Sequence, residues 1–300
     1  MTASSVGTPL TPPPRAACQT QTPDDEVKVD NDTPAESKVV KEKESEQDKL
    51  KKDSDNQQGT SGELTTGADG QVQARLTDVR IPVHVHVIRS AEAGKVSADQ
   101  IKQQIEQLNK DFGASPLSMF TFQLMGTDET DNSSWFTAPP TSSVYNEMKP
   151  KLRKGDKNAL NLYLNDVGEG YLGFATFPAD YRAKPQLDGV VVKYTTLPGG
   201  SLTGYNTGKI ATHEIGHWLG LYHPFQGGCT GPGDEVDDTP AEADPATECT
   251  EGVKSCGSDS DIPVHNHMNY TPDNCRTEFT PGQAKRAENQ WAAYRQPTAA

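Results

Sequence analysis

Apolar residues begin to recur with a period only after residue 75. Between Arg80 and Ile88, Ile81, Val83, Val85 and Val87 alternate with Pro82, His84 and His86, the two-residue period of a strand. Between Ser97 and Phe112 the period lengthens, and Ile101, Ile105, Leu108 and Phe112 fall on one side of a helix. Ser97 and Gln100 form the capping box that starts it. Met119–Met125 predicts a further strand and Val144–Leu152 a short helix. Ala159–Leu164 and Val190–Tyr194 predict two more strands, with Gly173–Phe177 a short extended piece between them. Lys209–Leu221 reads as a helix. A last helix opens at Thr280-Pro281-Gly282-Gln283, where Thr caps, Pro suits the first turn and Gln completes a second box. Between these two helices lie roughly sixty residues rich in Gly, Pro, Asp and Cys, a loop so long that it needs staples. The class is α+β, with an α/β-type N-terminal subdomain built on a twisted mixed sheet.

Composition divides the chain. Residues 1–75 hold no Phe, Trp or Tyr, and from Asp24 to Asp55 acids and lysines dominate, so this stretch buries too little to offset its ordering entropy. It is expected to be a polar, disordered leader, and residues 76–300 the folded domain, with an upper part at about 76–223 and a lower part at about 224–300. The net charge is −14 and no basic stripe occurs, which argues against a nucleic-acid partner. No apolar run is long enough to span a membrane, and the N-terminus lacks the apolar stretch of a secretory signal. Cys229, Cys249, Cys256 and Cys275 cluster in the long loop, while Cys18 stands alone in the leader. Four clustered cysteines point to two disulfides in an oxidising compartment; a second, structural zinc competes, although no Cys-x-x-Cys pair is present. Three connectivities are open.

The most informative stretch is His213-Glu-Ile-Gly-His217-Trp-Leu-Gly220-Leu-Tyr-His223. At about 100° per residue, His213 and His217 share one helical face and suit a common metal, with Glu214 beside it. Were the helix to continue, His223 would lie roughly 15 Å along the axis from His213, so the chain must turn back, and Gly220 permits the left-handed turn. Three imidazoles leave a fourth position on Zn²⁺ for water, and Glu214 is placed to take a proton from that water as it attacks a carbonyl. An accidental His-Glu-x-x-His on an ordinary helix is the alternative; the complete eleven-residue pattern argues against it.

This pattern resembles that of the metzincin zinc endopeptidases, which join it to a downstream methionine turn; Met268 in His265-Asn-His-Met-Asn-Tyr270 matches that turn. Gly173–Tyr181, His223–Cys229, Val236–Glu242 and Asn266–Gln283 are similar to segments of the pappalysin family, which includes ulilysin-like proteases and secreted fungal metalloproteases. The likeness covers about residues 80–295. It implies a metzincin-like fold, with the active-site helix above a loop-rich, disulfide-stapled C-terminal subdomain that ends in a helix. It also implies pairing of Cys229 with Cys256 and of Cys249 with Cys275, and a Met268 floor beneath the metal. Tyr270 would stabilise an oxyanion or simply pack. Calcium would be held by Asp234, Val236, Thr239 and Glu242, where the alternative is a solvated acidic loop. Gly173, Phe174 and Ala175 would form the edge along which a peptide substrate aligns.

The expected protein is therefore a secreted, monomeric zinc endopeptidase acting on proteins or peptides, with neither nucleic acid nor membrane as partner. A zinc-containing binding module without turnover is one alternative; the presence of Glu214 speaks against it. A processing protease of narrow specificity is another. Arg15–Thr20 faintly resembles a latency motif of related precursors, in which Cys18 would cover the metal; an idle thiol is the other reading. His84 and His86 are expected to pack or face solvent, and His265 and His267 to be structural. Asn31 and Asn132 open possible glycosylation sequons, whereas Asn269 is expected to be buried.

Overall fold

The computed structural model describes residues 78–297, together with Leu76 and the backbones of 64–66 and 72–74. Two three-residue strands, β1 (Leu64–Thr66) and β2 (Val72–Ala74), form an antiparallel pair and belong to a unit of their own. They fall inside the stretch expected to be a polar leader, where the sequence supplies the β-branched residues Thr65, Thr66 and Val72. Most of that leader, Cys18 and Asn31 included, lies outside the described residues.

The larger unit is organised by β3 (Val79–Arg89). Ile81, Val83, Val85 and Val87 are buried as their alternation predicts, but His86 and Ile88 on the other face are buried too, because both faces of the strand are covered. His86 gains three partners by this burial: Nδ1 meets Asp128 Oδ1 at 2.9 Å, Nε2 meets Asn161 Oδ1 at 3.0 Å, and the ring stacks on Tyr163. Packing, then, is its role. Helix α1 (Ala98–Gly113) carries the expected Ser97–Gln100 box and buries Ile101, Ile105, Leu108 and Phe112, each such side chain contributing about 1.5–3 kcal/mol.

β4 (Phe120–Asp131) runs parallel to β3 and extends six residues beyond the end its apolar pattern predicts. Its second half, Gly126–Asp131, is polar and becomes strand by pairing with His84–Arg89, where Arg89 reaches Glu129 and Asp131. A bulge opposite Val83/His84 leaves Met125 exposed. Asn132 caps α2 (Ser133–Phe136) through Oδ1, and α3 (Tyr145–Leu152) follows. β5 (Leu160–Asn165) is buried throughout, β6 (Gly173–Ala175) is short, and β7 (Val190–Lys193) completes the sheet.

The strand order is β4-β3-β5-β7-β6, parallel except for β6, which runs antiparallel along the outer side of β7. Helix α4 (Lys209–Trp218) packs on β6, β7 and α1. The following sixty residues hold no further helix or named strand until α5 (Pro281–Gln290), which opens on the Thr280–Gln283 box and passes into a terminal turn at Trp291–Arg295. Two disulfides, Cys229–Cys256 and Cys249–Cys275, tie the loop. Both sulfurs of the Cys249, His265, Cys275 cluster are consumed by the second bond, which leaves no thiolate there for a structural zinc.

Candidate metal centre

Helix α4 carries His213, Glu214 and His217, and each is buried to within 1% exposure. The helix ends earlier than predicted, at Trp218, because Gly220 turns left-handed at φ +94°. The turn is a paired set of bonds: Leu221 N–H donates to Gly216 O and Gly220 N–H to His217 O. This reversal returns His223 to the other two histidines.

The three Nε2 atoms lie 3.1, 3.1 and 3.2 Å from one another. His213 Nδ1 donates to His267 O and His217 Nδ1 to Leu221 O, both at 2.7 Å, which fixes the tautomer and leaves the Nε2 lone pairs facing inward. Burial, with mutual repulsion for His213 and His223, pushes all three pKa values down, that of His217 to about 3, so the rings are neutral near pH 7. Three inward lone pairs at this spacing repel unless a cation lies between them. Tetrahedral ligands at the usual zinc–nitrogen distance stand ~3.3 Å apart, which these donors match.

Around this cradle the predicted site residues fall into two groups. Glu214, Met268 and Tyr270 gather at it. Burial holds the Glu214 carboxyl well above the ordinary carboxylate range, with the Arg276 charge pulling the other way. Met268 is fully buried against Gly216, where an added Cβ would collide with its sulfur. The Tyr270 ring lies 5.0 Å from that of His223 and 5.8 Å from that of His213, and its hydroxyl is raised by burial and by the Glu214 charge. Gly173 of β6 also belongs here, because a Cβ would lie 2.8 Å from Glu214 Cγ, so only glycine lets the edge strand pass so close.

The second group forms no cluster with the histidines, although Glu242 N–H donates to Pro224 O beside His223. Asp234 and Glu242 are buried, with pKa values pushed up by burial to about 6 and about 7. They join no third His, Cys, Asp or Glu in one cluster among the described residues. Val236 N–H donates to Asp234 Oδ1, Val236 O accepts from Thr239 N–H, and Glu242 Oε2 accepts from Asn269. That last bond, with the burial of Asn269, removes its amide from any sequon chemistry.

Some contributors carry no signal in the sequence. Gly216 lies inside the histidine motif, yet its contact with Met268 is set by the fold. Arg276, buried and paired with Asp273 at 2.5 Å, sends its charge to Glu214 and His213, a role that nothing in its sequence position marks. His265 bonds the Cys275 carbonyl and Glu251, and His267 packs against Phe279 while its carbonyl orients His213.

A three-histidine cradle built by a helix and the turn that follows it, packed on a mixed sheet with a carboxyl beside it, is the site of a metallopeptidase. The family model for Peptidase M43, pregnancy-associated plasma protein-A, matches residues 155–292. An extracellular metalloprotease of Pyricularia oryzae is 43% identical over 239 residues, covering 78% of this chain and 82% of its own length. One from Neurospora crassa is 44% identical, covering 78% and 81%. Among solved structures, mirolysin in complex with a compound matches with TM-score 0.62 at 28% identity, over 74% of this chain and 99% of that one. A Tannerella forsythia promirolysin mutant matches with TM-score 0.61 at 28% identity, over 74% and 87%. The chain belongs to the pappalysin family of metzincin metallopeptidases.

Proposed function

We propose that this is a secreted zinc endopeptidase that hydrolyses peptide bonds of extracellular proteins. The observation that carries the metal assignment is the triangle of Nε2 atoms, each 3.1–3.2 Å from the others and shut in by burial. His213, His217 and His223 would hold the zinc, which when bound supplies Lewis-acid polarisation to a water and to the scissile carbonyl. Glu214 accepts the proton that water loses as its oxygen attacks the carbonyl carbon, and passes it to the leaving amine nitrogen. Tyr270, its hydroxyl kept protonated, donates to the oxyanion as it forms. An extended peptide aligns on β6, the outermost strand, which Gly173 allows to lie against Glu214.

Calcium belongs to the acidic loop in this reading, with Asp234 and Glu242 supplying carboxylates and Val236 and Thr239 carbonyls. It is supported by Glu242 Oε1, a buried acceptor without a hydrogen-bond partner in the described residues, and by the burial of the Asp234 carboxyl. Secretion is supported by the extracellular relatives and by the two disulfides.

Native mass spectrometry with a casein-cleavage assay tests the proposal. One zinc per chain, with cleavage abolished by 1,10-phenanthroline and restored by zinc, is expected. Cleavage that persists in the chelator, or a chain that takes up no zinc, would overturn it.

A further inference from the structure

The end of α4 leaves carbonyl groups that the turn at Gly220 does not use. Gly216 O and His217 O are taken by the turn's own amides, and Leu221 O by His217 Nδ1. Two others are taken by arginines from the far end of the chain. Arg295 Nε donates to Trp218 O at 2.8 Å, and Arg286 Nε donates to Gly220 O at 2.7 Å. Each guanidinium also lies over an aromatic ring of the same segment, Arg295 over Trp218 at 3.7 Å and Arg286 over Tyr222 at 4.4 Å. Each is anchored by an acid, Arg295 by both oxygens of Asp188 and Arg286 by Glu235 at 2.6 Å.

The two arginines are not equivalent. Arg295 is wholly buried and ties α4 to the sheet, since Asp188 also accepts from Thr176 and Trp218. Arg286 grips the reversal itself. Its hydrogen-bond acceptor, Gly220, precedes Leu221, whose carbonyl sets the tautomer of His217, and the ring it covers, Tyr222, precedes His223. A turn free to rock about Gly220 would move the acceptor of one histidine and the backbone of another together.

We propose that Arg286 is a positioning residue for the metal site: its grip on Gly220 O and Tyr222 fixes the turn that orients His217 and aims His223. This rests on the reading of the three histidines as zinc ligands. The contacts of Arg286 are with Gly220, Tyr222 and Glu235 rather than with a histidine ring, so its effect must appear in how long metal is retained. Partners that orient metal ligands typically change metal affinity by about 10–100-fold when removed.

The test is the rate at which zinc-loaded, full-length protein releases zinc to a chromophoric chelator. Wild type is compared with Arg286→Met, Arg286→Lys and, as a control for simple loss of stability, Ser97→Ala, which removes the cap of α1 far along the chain. Arg286→Met should release zinc about tenfold faster. Arg286→Lys should fall between it and wild type, because an ammonium can reach the carbonyl but cannot also fork to Glu235 and stack. Ser97→Ala should release zinc at the wild-type rate. A wild-type rate in both Arg286 variants overturns the proposal, as does an equal acceleration by Ser97→Ala. Should Arg286→Met fail to fold, the lysine variant against Ser97→Ala decides in the same way. Failure of wild type to take up zinc would sink the metal-site reading itself, an outcome visible before any variant is compared.

Discussion

A methyl group on Gly216 would collide with the Met268 sulfur, and this single contact sets the methionine turn against the metal-bearing helix. Helix propensity alone would make Gly216→Ala stabilising by about 1 kcal/mol. Overpacking costs about 1–3 kcal/mol and should prevail, so the variant is expected to melt several degrees lower, as followed by calorimetry. A rise in melting temperature would show that the turn yields. Lys149 gives a second prediction at this scale. It is 2% exposed, donates to Leu187 O at 3.0 Å and faces Tyr163 and Phe174, and burial pushes its amine down to about 8 against the opposing pull of Asp188. The unfolded chain then binds the extra proton between pH 8 and 10.5, so stability rises with pH across that window, by at most about 3 kcal/mol. Denaturant titrations of wild type against Lys149→Met should show that rise in wild type alone; parallel pH profiles would refute it.

At the scale of elements, the sixty residues between α4 and α5 hold their course through Cys229–Cys256 and Cys249–Cys275, which close loops of 27 and 26 residues. Replacing Cys249 and Cys275 together by Ser is expected to cost about 2–5 kcal/mol, a fall of roughly 5–15 °C in melting temperature. An unchanged melting point would mean that packing alone orders the loop. The elements also show what was legible in the sequence. Helices α1 and α5 carry their start signals within four residues, and the ligand set from His213 to His223 spans one helix and one turn, so both were readable. The second half of β4 was not, because its strand character comes from pairing with His84–Arg89 rather than from its own polar residues. His86 and its partners Asp128 and Asn161 lie on three strands, and Arg286 and Arg295 lie more than sixty residues from the carbonyls they hold. Contacts of that range leave no periodic trace. The disulfide pairing followed from family resemblance, since spacing left three connectivities open.

Across the whole molecule, a mixed sheet brings β6 beside α4, the staples order the long loop beneath, and α5 returns to close the end of the metal helix. The acidic loop joins this closure through Glu235 and Arg286, so occupancy by calcium should be felt as global stability. Saturating calcium is expected to raise the melting temperature of EGTA-stripped protein by about 5–10 °C, in line with roughly 3 kcal/mol at a hundredfold excess over Kd. Asp234→Asn with Glu242→Gln should abolish the response. A calcium response that survives both substitutions would place the ion elsewhere.

The central claim is that Glu214 moves the proton at a zinc held by three histidines. Its most direct test is casein cleavage by Glu214→Gln, loaded with zinc and compared with wild type at equal metal content. The account predicts one zinc per chain in both proteins and a fall in kcat of about 10²–10⁴-fold in the variant. Near-wild-type turnover with zinc in place would contradict it, and another group would have to carry the proton.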